Sequence, residues 1–295
     1  MKPSRRTAAA LSVLAAVLAL GACDRIAGKL PAKLAAIGAA PFDTDRLESA
    51  IDSSFGGIGT CVVIAETGSG RQLYRYNSPS ACMRRLPPCA TFEIANDLIG
   101  LDAGAVTPQT VFKWDHTPQP VTGWERDTDL QTAFKGSIVW WDQRLAGLIG
   151  TAAYRQRLPA LGYGNGSPDG PPAGFWQGPS AGGGLAISTL EQAGFLHRFY
   201  AGRLAVKPQS VAALEQLMTD ETRGDAVMSG KASDCASTAD GSRQTGWWIG
   251  RLTSPKHDYV FAASMDAQSD SSLPGVEIER RVKTAFADAG LWPQG

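Results

Sequence analysis

Acyl transfer by a side chain needs a hydroxyl or thiolate at the carbonyl and a base within hydrogen-bond reach of it. A helix supplies both compactly with Ser-x-x-Lys, which sets the two groups one turn apart. No Ser-x-x-Lys occurs in the 295 residues of this chain. The spacing occurs with threonine at Thr110–Lys113, Thr132–Lys135 and Thr253–Lys256, and Pro255 in the last is incompatible with a helix interior. The segment Pro88-Cys89-Ala90-Thr91-Phe92-Glu93-Ile94-Ala95-Asn96 has the look of a helix start, with Ala90 and Glu93 three residues apart. A methyl group and a carboxylate stand there in place of a nucleophile and an amine. His116, His197 and His257 are scattered without metal-ligand spacing, so neither a metal nor another cofactor is expected.

These residues must be positioned by elements read from periodicity. Asp43 to Phe55 has apolar residues near helical spacing. The β-branched run Gly59 to Ala65, the turn Thr67 to Gly70 and the aromatic run Gln72 to Tyr76 predict a hairpin. From Thr91 to about Tyr200 the signals are helical, interrupted by a long Gly/Pro-rich loop from Gly162 to Gly184. Three strand signals follow around Val227 to Lys231, Thr245 to Leu252 and Tyr259 to Ser264, then an amphipathic helix from about Glu277 to Ala289. Strands at both ends enclosing a helical middle imply an α+β fold: one antiparallel sheet built from both chain ends, flanked by helices, with a mostly helical lobe inserted.

The N-terminus reads as a targeting segment. Lys2, Arg5 and Arg6 precede an uncharged apolar run from Ala8 to Leu20, too short for a comfortable membrane span and suited to a signal peptide. It ends Leu20-Gly21-Ala22-Cys23, which resembles a bacterial lipobox, so the expected division is a signal peptide at 1–22, a tether at 23–42 and one domain at 43–295. A lipid on Cys23 would anchor the chain in the cell envelope, facing the periplasm, without spanning the membrane. Without Lys2, Arg5 and Arg6, 25 basic residues face 28 acidic ones, a net charge of −3 and no footprint for nucleic acid. In an oxidising compartment Cys61, Cys82, Cys89 and Cys235 are candidates for disulfides, with three possible pairings. Cys82 and Cys89 are near enough to close a short loop.

With Ala90 opening the first middle helix, this order of elements resembles class D β-lactamases and the related penicillin-sensing domains of the penicillin-binding, transpeptidase-like serine family. Further segments carry the resemblance in register: Phe112-Lys113-Trp114-Asp115 with Trp124-Glu125-Arg126-Asp127, Ser137-Ile138-Val139-Trp140, Tyr163-Gly164-Asn165, Phe175-Trp176, and Gly246-Trp247-Trp248-Ile249-Gly250. The resemblance implies that Ala90 occupies the nucleophile slot and Glu93 the slot of the lysine that becomes carboxylated. It implies that Lys231-Ala232-Ser233 replaces a Lys-Thr-Gly strand, keeping the lysine and losing the threonine. Ser137, Val139 and Trp176 are retained, Ser137 with the family role of proton relay, while Val276 falls where a carboxylate-anchoring arginine is expected.

The resemblance implies that the changes at Ala90, Glu93, Ala232 and Ser233 share one cleft. They favour a pseudoenzyme that binds peptidoglycan or an envelope protein over a residual hydrolase using Ser137 or a water activated by Glu93, and over a non-covalent β-lactam or muropeptide sensor. Glu93 admits two readings: an ion pair with Lys231 that closes the cleft, or a solvated carboxylate on an eroded site.

Overall fold

The computed structural model describes residues 41–268 and 275–294; the proposed signal segment, Cys23 and the side chain of Val276 lie outside that description. Asp43 caps helix α1 (Thr44–Phe55) by accepting from the Arg46 amide, and the chain then enters β1 (Gly59–Glu66) and β2 (Gln72–Tyr76), which pair as the predicted hairpin. A short α2 (Pro79–Met83) leads to a 3-10 turn, Cys89–Phe92, and α3 (Glu93–Ala103). The middle lobe adds β3 (Val111–Phe112) paired with β4 (Thr128–Asp129), then α4 (Leu130–Gly136), α5 (Val139–Ile149) and α6 (Thr151–Leu161). After the Gly/Pro-rich loop come α7 (Thr189–Tyr200) and α8 (Pro208–Met218). The chain ends in β5 (Thr219–Arg223), β6 (Ala226–Ala236), β7 (Arg243–Thr253), β8 (Asp258–Gln268) and α9 (Gly275–Asp288).

The main sheet runs β2-β1-β8-β7-β6-β5 and is antiparallel throughout, so its two ends of chain meet where β1 pairs with β8. Side chains alternate across it with period two. Val62, Ile64, Trp248 and Phe261 pack against α1 and α9 on one face; Val63, Trp247, Ile249 and Val260 face the helical lobe on the other. This is the α+β arrangement expected. Two details differ. Residues 219–223 (TDETR) form an edge strand that their charge concealed, as edge strands commonly do. Strand β6 also extends to Ala236, past the polar stretch that masked its second half, which puts Ser233 and Cys235 inside the sheet.

Candidate functional site

Ala90 does not open an α-helix. It lies in the 3-10 turn Cys89–Phe92, and the α-helical run starts only at Glu93. This turn is fastened from three sides. Ser233 Oγ on β6 donates to the Pro88 carbonyl at 3.2 Å, and Trp247 Nε1 on β7 donates to the Pro87 carbonyl at 2.8 Å. The Cys89 amide donates to the Trp176 carbonyl at 3.1 Å. A disulfide joins Cys89 to Cys235, and a second joins Cys61 to Cys82. The short Cys82–Cys89 loop is therefore not formed; Cys82 faces β1 and Cys89 faces β6, on different walls of the segment between them. The Gly/Pro-rich loop approaches the same strand at Gly178, where a Cβ would come within 2.5 Å of the Ala236 carbonyl and φ is +91°.

In front of the turn opens a cavity of about 660 Å³. Ala90, Glu93, Ser137, Val139 and Trp176 line it from the lobe, and Ala232 and Ser233 from β6. The structure thus brings the sequence-derived positions together, with one exception: Lys231 is withdrawn behind the wall. Its Nζ lies 2.5 Å from Glu93 Oε2, donates to the Phe134 carbonyl and sits 4.4 Å from the centroid of the Phe134 ring. The carbonyl and the ring face both favour a charged ammonium. Glu93 and Lys231 are 3% and 5% exposed, so the ion pair is realised and solvation of Glu93 is not. It seals the inner wall of the cavity; it does not close the cleft.

Two acids missed from the sequence complete this centre. Asp97, one helical turn from Glu93, and Asp142 on α5 are both buried. Asn96 Nδ2 donates to Asp142 Oδ1 at 3.0 Å, and Tyr154 Oη donates to Asn96 Oδ1. Asp142 Oδ2 and Asp97 Oδ1 have no hydrogen-bond partner among the described residues. Burial pushes the Glu93 carboxyl well above the usual range, the Lys231 ammonium pulls it back, and Asp142 adds repulsion. Burial, then Asp142, then Glu93 raise Asp97 likewise. Asp142 is pushed up to about 6 by burial, against the favourable Asn96 hydrogen bond. Three carboxylates share one ammonium, so we assign the ionised form to Glu93, which pairs with Lys231, and the neutral form to Asp97, which forms no ion pair among the described residues. The signal for both lay in the helices. Asp97 on α3 is flanked by Ile94, Leu98 and Leu101, and Asp142 stands on the same face of α5 as Leu145 and Ala146.

Backbone strain concentrates here. Among the described residues four non-glycines have positive φ, and two of them, Cys89 at 53° and Ser137 at 45°, line the cavity. The three Thr-x-x-Lys segments are elsewhere: Lys113 pairs with Asp127, Lys135 donates to the Thr219 carbonyl, and Lys256 lies in the turn between β7 and β8. Among the described residues no group of three His, Cys, Asp or Glu side chains has the arrangement to hold a metal ion.

Residues 60–278 match the penicillin-binding protein transpeptidase domain. The OXA-20 β-lactamase of Pseudomonas aeruginosa is 34% identical over 215 residues, covering 72% of this chain and 76% of that one. Among solved structures, the BPu1 β-lactamase superposes with a TM-score of 0.72 at 26% identity, over 83% of this chain and 98% of that one. The C-terminal domain of the Bacillus licheniformis BlaR penicillin-receptor gives 0.73 at 25% identity, over 82% and 96%.

Proposed function

The chain belongs to the penicillin-binding transpeptidase family, with class D β-lactamases among its relatives, and from that premise we propose that it is a non-catalytic envelope protein acting by binding or scaffolding. One observation carries the reading. The cavity wall presents the Ala90 methyl, and the carboxylate one turn later is committed to Lys231 at 2.5 Å. A methyl cannot be acylated, and the Glu93 carboxylate is paired with Lys231 and makes no hydrogen bond to Ser137 among the described residues. Cys89, the one thiol beside the slot, is consumed in a disulfide. The lipobox-like Cys23 supports a lipid anchor at the periplasmic face of a membrane, with peptidoglycan or an envelope protein as the partner.

The test is intact mass after incubation with a penicillin, a cephalosporin and a carbapenem. No adduct is expected on the protein, nor on Ala90→Ser, which regains the hydroxyl without a base. An acyl adduct on the unaltered chain would overturn the reading, and nitrocefin turnover abolished by Glu93→Gln would establish a hydrolase in its place. The likeness to the BlaR penicillin-receptor domain favours a second reading, a non-covalent sensor. A melting temperature raised by benzylpenicillin without any added mass would support that sensor.

A further inference from the structure

The charge around the cavity is one-sided. Glu93 and Asp142 contribute carboxyl groups to its lining, and among the described residues no lysine, arginine or histidine lines it. The cation nearest in chemistry, Lys231, is drawn out of reach by Glu93, the Phe134 carbonyl and the Phe134 ring. An anionic ligand entering this space would lose water and meet no counter-charge. Asp142 is the converse case. It is 3% exposed, its Oδ1 accepts from Asn96, and its Oδ2, on a residue that lines the cavity, has no hydrogen-bond partner among the described residues. A buried carboxylate oxygen without a donor is costly to maintain, and a donor brought by a ligand would satisfy it. The remaining wall contains the indoles of Trp124 and Trp176, whose faces attract cations, and the carboxamides of Gln119, Gln143 and Gln177. The volume of about 660 Å³ admits a short peptide-sized molecule.

We propose that this cavity binds a ligand bearing a primary ammonium group, with the Asp142 carboxylate as its acceptor and Trp124 and Trp176 as its aromatic walls. The assignment rests on the reading of the cleft as a binding site and adds its charge selectivity. That selectivity is opposite to the one a carboxylate-bearing β-lactam requires. Peptide side chains ending in an amine, and amide-rich segments around them, fit the acids, indoles and carboxamides together.

Three acetylated dipeptide amides test it by titration calorimetry at pH 7.5: phenylalanyl-lysine, phenylalanyl-norleucine and phenylalanyl-glutamate, matched in shape and differing in charge. The lysine peptide is expected to bind at least about tenfold more tightly than the glutamate peptide, with norleucine between them. Asp142→Asn keeps the acceptor for Asn96. It should weaken the lysine peptide about tenfold and leave the norleucine peptide unchanged. Gln143→Lys, at a half-exposed position, should reverse the order, which keeps the test decisive if the Asp142 variant does not fold. Equal or tighter binding of the glutamate peptide, or a lysine preference untouched by both variants, overturns the inference and leaves a non-catalytic binding protein intact. No binding of any peptide at millimolar concentration overturns the inference and leaves the non-catalytic reading, which rests on the mass measurement, untouched. A β-lactam adduct by mass overturns only the non-catalytic reading, because the charge order is measured separately.

Discussion

Asp142→Asn should make the protein more stable at neutral pH and not at acid pH. The Asp142 carboxyl is pushed from an ordinary 3.8 to about 6 in the folded chain, chiefly by burial. A raised carboxyl means that the folded state holds its proton more tightly than the unfolded state. Stability is therefore present below the unfolded value and is lost as pH rises toward the folded one. Each pKa unit is worth about 1.4 kcal/mol, so ionising Asp142 costs on the order of 3 kcal/mol by pH 7.5. Asparagine never incurs that cost. Its amide replaces an oxygen that has no partner, and an unpaired buried amide returns roughly 1 kcal/mol of penalty. A net gain of about 2 kcal/mol remains, or roughly 4–8 °C in melting temperature for a domain of this size. Urea unfolding of both proteins at pH 4 and pH 7.5, with disulfides intact, gives the comparison. The expected pattern is a gain at pH 7.5 that disappears at pH 4. An equal effect at both values would show that Asp142 is not strained by ionisation, and the reasoning would fail.

The Glu93–Lys231 pair predicts strong non-additivity. Glu93→Gln or Lys231→Met alone leaves a buried charge uncompensated and should cost about 3–5 kcal/mol, whereas Glu93→Leu with Lys231→Met should lie much nearer the unaltered protein. A double-mutant cycle by urea unfolding measures the coupling, and additive losses would exclude an ion pair. The two disulfides should differ in worth. Cys89 and Cys235 are 146 residues apart and Cys61 and Cys82 are 21 apart, so loop-closure entropy predicts about 5 and about 3 kcal/mol for replacing each pair by serine. Removing the longer link should also raise hydrogen exchange at residues 87–92; unchanged exchange there would mean that the hydrogen bonds from Ser233 and Trp247 suffice.

Much of the scaffold was legible because burial imprints a period. Strands β1 and β2 announce themselves by β-branched and aromatic runs, and α1 by its apolar spacing. Strand β5 and the end of β6 did not, since an edge strand and a cleft-lining strand carry polar residues that carry no such imprint. At the site, Ala90, Glu93, Ser137 and Ser233 were found through ordered short motifs, and the structure brings them together on one cavity. The withdrawal of Lys231 was not legible, because it depends on the position of the Phe134 carbonyl, a backbone atom without sequence identity. Disulfide pairing was equally hidden. It is decided by which strand each cysteine faces, and spacing along the chain leaves all three pairings open.

The way β1 pairs with β8 has a consequence for how the molecule must be made. Gly59 meets Asp266 and Glu66 meets Tyr259, so the central pairing waits until nearly the whole chain is available. Such non-local pairing is slow, because loop closure must precede the contacts that reward it. The cysteines live through that wait. Cys61 and Cys82 can meet as soon as the first hairpin forms, but Cys89 has no correct partner until β6 arrives. In the interval its nearest thiol in sequence is Cys82, and a bridge between those two would capture both cysteines wrongly. Were Cys61–Cys82 to close first, that competitor would be removed, and the smaller disulfide would guard the assembly of the larger one.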